Sequence, residues 1–81
     1  MTTVTITDRN ETKYHFALGL IGTASPRDNI TLDFVFEATE ELFQARRAYS
    51  LNAPVPVLSF IAASRTVDKA IYEHRQRQGV K

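Results

Sequence analysis

Hydrophobic and polar positions alternate over Thr3–Thr7, with Val4 and Ile6 on one side and Thr3, Thr5 and Thr7 on the other. β-branched residues fill this run, which predicts a half-buried strand. Asp8-Arg9-Asn10-Glu11 is a polar break. Thr12–Leu18 then alternates again, with Tyr14, Phe16 and Leu18 opposed to Lys13, His15 and Ala17. Two alternating runs around a short polar loop predict a β-hairpin. Gly19, Gly22, Pro26 and Asp28-Asn29 punctuate the next stretch. Ser25-Pro26-Arg27-Asp28 suits a turn with proline at its second position. Ile30–Glu37 gives the clearest alternation in the chain. Ile30, Leu32, Phe34 and Phe36 face one way, and Thr31, Asp33, Val35 and Glu37 face the other.

The period then changes. Thr39 is placed to cap a helix, with Glu40 and Glu41 in its first turn, where negative charge suits the helix dipole. Leu42, Ala45 and Tyr49 share one stripe at helical spacing, and Asn52 and Pro54 supply the stop. Val55–Ala63, rich in Val, Ile and Phe, predicts a buried strand entered through Pro54 and Pro56. Thr66 offers a cap for a second helix from about Val67 to Gln78, ended by Gly79. Val67, Ala70, Ile71 and His74 form its inner stripe. The same region also admits a second hairpin, Leu58–Ser64 with Ala70–Arg75, turning at Val67-Asp68. The expected order is β-β-β-α-β-α in a single α+β domain. Its twisted sheet is mixed but mainly antiparallel, with two helices on the face carrying Phe16, Leu18, Leu32, Phe34 and Phe36. The strand–helix–strand unit is compatible with a right-handed parallel crossover.

Eighty-one residues allow one core, and 43% apolar with 23% charged residues is ordinary globular composition. A core this small supplies only ~3–5 kcal/mol net, so a partner or a second copy is one route to added stability. With no cysteine there is no disulfide, thiolate metal site or thiol nucleophile. The N-terminus lacks the charged and apolar regions of a signal peptide, and no apolar run approaches the ~20 residues of a membrane span. The expected protein is cytoplasmic and makes no membrane contact.

Chemistry is sparse. His15 and His74 stand at no metal-ligand spacing, so no metal is expected. No serine lies in a G-x-S-x-G turn, and the acids Glu40-Glu41 diverge on a helix. No catalytic residues, cofactor or enzymatic activity are expected. Gly19-Leu20-Ile21-Gly22 has the G-x-x-G spacing of KH loops. Its middle residues are apolar and it follows a predicted strand, so it reads as a packed turn.

Charge is unevenly divided. Residues 1–40 carry six acids against three bases, whereas residues 41–81 carry seven bases against three acids. On the second predicted helix Arg65, Lys69 and Tyr72 project opposite the apolar stripe, with Arg75 and Arg77 on its flanks. Basic residues around a tyrosine suit phosphates and a stacked base, and they equally suit a solvated helix face. A strand set followed by such a helix resembles a double-stranded-RNA module, without that module's first helix or lysine cluster. On the first predicted helix Phe43, Arg47 and Leu51 form a stripe beside the core stripe, with the composition of an interface hot spot. The same stripe suits a helix wedged between sheet and second helix. If both helices share one side, Thr3, Thr5, Thr7, Lys13, His15, Thr31, Asp33, Val35 and Glu37 form an open, threonine-rich sheet face.

The leading expectation is a small non-enzymatic regulator or inhibitor that occludes a surface of a larger protein or complex through Phe43, Arg47 and Leu51. In size and style the chain is similar to phage and mobile-element accessory proteins, including inhibitors of host defence complexes, although no motif carries that likeness. The alternative is a nucleic-acid-binding domain using Arg65, Lys69, Tyr72, Arg75 and Arg77. A homo-oligomer is a third expectation.

Overall fold

The structure, a computed structural model, describes residues 2–79. It has β1 (Thr3–Ile6), α1 (Arg9–Ala17), β2 (Gly22–Pro26), β3 (Leu32–Glu37), α2 (Glu40–Ser50) and α3 (Val57–Arg77). The α+β class with a small antiparallel sheet is as expected, but the order is β-α-β-β-α-α. The strands lie in the order β1-β3-β2, and both pairings are antiparallel. With dimensions of 37 × 32 × 17 Å the molecule is one sheet and one helix layer thick.

The expected second strand is helical. Asp8 caps α1, its carboxylate accepting from the backbone N–H of Asn10 at 2.8 Å and Glu11 at 3.1 Å. Glu11 pairs with His15 one turn later at 2.9 Å. The Asp8…Glu11 spacing is a capping pattern that outweighs the short alternation after it. Tyr14 and His15 turn into the core together, which a strand forbids, and Leu18 ends 45% exposed. Gly19, at φ 87°, ends this helix.

The expected fourth strand, Val55–Ala63, is the opening of α3. A short apolar run carries no period that separates strand from helix, and Leu58, Ala62 and Ala63 favour the helix. Thr66 is therefore interior, its hydroxyl donating to the Ala62 carbonyl at 3.1 Å rather than capping. Continuous helix also removes the second hairpin and the parallel crossover. The helix stops are as expected: Asn52 is left-handed at φ 58° and Gly79 at φ 73°. Gly22–Pro26, expected as loop, is an edge strand paired with β3, so the turn expected at Ser25-Pro26-Arg27-Asp28 lies further on. Arg27 N–H donates to the Thr31 carbonyl at 3.0 Å, and the Asp28 carboxylate accepts from Ile30 and Thr31 N–H at 2.9 and 2.7 Å.

The core gathers on the inner face of β3. Phe34 and Phe36 pack with Ile6, Leu42, Val67 and Ile71, while Phe16, Leu20, Leu32 and Ala70 close the margins. Phe16 sets its ring edge-on to Phe34 at 5.6 Å. α1 packs on both α2 and α3. Thr3, Thr5, Val35 and Glu37 lie on the outer face, and Asp33 is clamped there by Arg27 at 2.9 and 2.6 Å. Lys13 and His15 leave the expected open face because α1 is helical, and Thr31 leaves it because the strand begins at Leu32.

Gly22 pairs with Phe36 across the sheet, and a Cβ there would stand 2.6 Å from the Phe36 ring. Gly22→Ala is expected to cost about 1–3 kcal/mol by overpacking. Urea unfolding should show this loss, and a smaller loss for Gly22→Ala in a Phe36→Leu background.

Candidate functional site

Two surfaces concentrate unusual side chains. The first comprises the outer side of α2 and the opening of α3, which residues 52–56 connect. Leu42 and Ala45 of α2 are buried, while Phe43 is 50% and Leu51 71% exposed. Arg47 lies between them, exposed and in no ion pair among the described residues. The expected stripe is thus present and faces outward. It is not wedged, because α2 packs on α1 rather than on α3.

The opening of α3, which follows α2 in the chain, is exposed as well. Val57 is 71%, Leu58 81% and Ile61 40% exposed. They were expected inside a strand, yet no layer lies beneath them. The buried positions of α3 are Ala63, Val67, Ile71 and His74. From Ala48 to Ser64 the chain carries no charged residue. That run was the available sequence signal, since an uncharged helix turn with one buried side leaves apolar groups in water.

The second surface is the cleft between α1 and α3. Arg9, Arg75, Thr7 and Thr31 stand around a hollow of about 120 Å³ over Phe34 and Val67. A groove of about 220 Å³, bordered by Arg9, Arg75, Lys13, Asp68 and Tyr72, adjoins it. Tyr72 is 62% exposed. The structure thus brings Tyr72 and Arg75 to one groove and adds Arg9, which came from the misread hairpin. Arg65 and Lys69 are exposed on preceding turns of α3, with Lys69 3.9 Å from Glu73. Arg77 departs from the expected set: it lines a different hollow, with Ala24 and Pro26 of β2.

Two polar clusters are structural. Glu11 accepts from both His15 Nε2 and Arg46 Nε at 2.9 Å. His15 is fully buried and its Nδ1 has no partner, so no substrate reaches this ring. Burial, with Asp8 and Glu11 nearby, pushes the Tyr49 hydroxyl above its ordinary range. The second cluster ties the β2–β3 turn to α3. His74 Nε2 donates to the Asp28 carbonyl at 2.7 Å, and Arg75 Nε donates to the Ile30 carbonyl at 3.0 Å. The Ile30 and Thr31 N–H groups hold the Asp28 carboxyl below its ordinary range. Among the described residues no group of three His, Asp or Glu side chains is arranged to hold a metal. No helix there is long and apolar enough to cross a membrane.

Glu11→Ala strands the buried His15 Nε2 beside an Nδ1 already without a partner, and thermal unfolding should show a loss of about 1–3 kcal/mol, with Glu11→Gln losing less. A carboxyl whose pKa is depressed by folding stabilises the fold above its unfolded pKa and loses that effect as pH falls through the folded value. The Ile30 and Thr31 amide signals should therefore titrate below the ordinary carboxylate range, and Asp28→Ala should abolish that titration. Comparison with known proteins finds no matching family model, curated protein or solved structure.

Proposed function

We propose that this chain is a non-enzymatic regulator that binds a larger protein and inhibits it by occlusion, using the outer side of α2 and the opening of α3 as its contact surface. One observation carries this reading: Val57, Leu58 and Ile61 are exposed on a charge-free helix opening that follows exposed Leu51 along the chain. Fully burying a side chain of this kind gains about 1.5–3 kcal/mol, so a partner that covers several of them acquires useful affinity. Phe43 and Arg47 continue the surface along α2. An aromatic and an arginine beside aliphatic groups match the composition of energetically dominant interface residues. Pro54 and Pro56 stiffen the connection and limit the ordering cost on binding.

The test is affinity capture from a host-type lysate with nuclease present, comparing the parent chain with Leu58→Asp, Ile61→Asp and the pair Phe43→Ala/Arg47→Glu. These positions are at least partly exposed, so the variants should fold. One dominant protein is expected with the parent and should be lost from all three variants. Equal capture by parent and variants defeats the proposal. So does sedimentation showing that the parent chain covers this face with a second copy and that Leu58→Asp frees it.

A further inference from the structure

The α1–α3 cleft has a charge arrangement that the fold does not explain. Arg9 and Arg75 both line the 120 Å³ hollow and both line the groove beside it. Among the described residues Arg9 makes no ion pair or side-chain hydrogen bond. Arg75 commits only Nε, to the Ile30 carbonyl, leaving its two Nη groups for another acceptor. The nearby acids each have a partner of their own, Asp68 within the groove itself. Asp8 caps α1, Asp28 accepts from Ile30 and Thr31, and Asp68 pairs with Lys13 at 3.0 Å. Two guanidinium groups on one small hollow repel each other unless an anion lies between them, and their planar donors suit phosphate oxygens.

We propose that this cleft holds a backbone phosphate of a single-stranded nucleic acid, with a neighbouring base stacked on Tyr72. The hollow admits a phosphate group between the two guanidinium groups. The Tyr72 ring, 62% exposed, borders the same groove as Arg75. From Arg75 back to Arg65 the helix rises about 15 Å, so exposed Arg65 and Lys69 add positive charge on the same helix beyond the reach of a lone anion. An exposed ring takes an unstacked base, which a single strand provides and a duplex does not.

Fluorescence anisotropy with a labelled oligothymidylate of about ten nucleotides, inside the ~4–16 range of small single-strand sites, tests this. Binding should weaken with salt, with a log–log slope of about −0.7 per phosphate contacted. Arg9→Glu should weaken it about tenfold or more and flatten the slope by about one contact. That variant places an acid in the first turn of α1, where the dipole favours it, so unfolding is not the cause of a loss. Tyr72→Ala should weaken binding about tenfold with little change in slope. Leu58→Asp should leave it unchanged, which separates this result from the protein-binding surface. The proposal falls if the oligonucleotide does not bind, or if Arg9→Glu binds it as well as the parent. It falls equally if inorganic phosphate shifts the Arg9 and Arg75 side-chain NMR signals and abolishes oligonucleotide binding at matched ionic strength, which marks a site for a free phosphate ester.

Discussion

The packing of Phe34 and Phe36 on the inner face of β3 is the contact on which the rest of the structure depends. β3 is the central strand, so it is the one strand bonded on both sides. Each other element presents its apolar side to these two rings or to their immediate neighbours. Ile6 arrives from β1, Phe16 from α1, Leu42 from α2, and Val67 and Ile71 from α3. Gly22 of β2 contributes by having no side chain, which lets the Phe36 ring lie over its backbone. The buried His15 ring stands edge-on to Phe36 at 5.5 Å, and Glu11 and Arg46 complete its polar side. The polar cluster on α1 is thus an extension of the core, anchored through an aromatic contact.

That core is small, and its size decides which surfaces are left uncovered. A helix of 21 residues runs about 31 Å, longer than the layer that supports it. Burial along α3 begins at Ala63, and the opening turns hold Val57, Leu58 and Ile61 exposed. The remainder of the helix is held on one side by α1 and at its end by the β2–β3 turn, through His74 and Arg75. One helix therefore carries an apolar end and a basic flank. The apolar end exists because the core runs out beneath it. The basic flank gains its cleft because α1 starts alongside it.

The helix-period segments were legible in the sequence wherever a cap, a stripe and a stop agreed. Thr39, the Leu42/Ala45/Tyr49 stripe and Asn52 gave α2, and the outward stripe Phe43/Arg47/Leu51 followed from the same geometry. Gly22–Pro26 reads as loop because its glycine and proline hide an edge strand that only pairing with β3 reveals, and the two other misread segments share a cause. Thr12–Leu18 and Val55–Ala63 are short, and their local patterns suit strand and helix alike. The first was settled by the Asp8 cap and by the pull of Tyr14 and His15 into the core together. The second was settled by continuity with the amphipathic helix that follows it. Those errors placed Arg9 on a hairpin and Val57, Leu58 and Ile61 inside a sheet, and so concealed Arg9 from one candidate site and three apolar residues from the other.

The sequence by itself determined the class of the fold, the inner face of β3, the two stripes of α2 and the concentration of positive charge in the second half. These properties depend on neighbours within a few residues, through side-chain alternation, capping and helical period. Tertiary structure alone decided that Arg9 and Arg75 share a cleft, that Arg77 leaves the basic set, and that the opening of α3 stands uncovered. Each of these turns on which distant element lies alongside, and that is fixed by how far two phenylalanine rings and their neighbours extend a core beneath a helix longer than it.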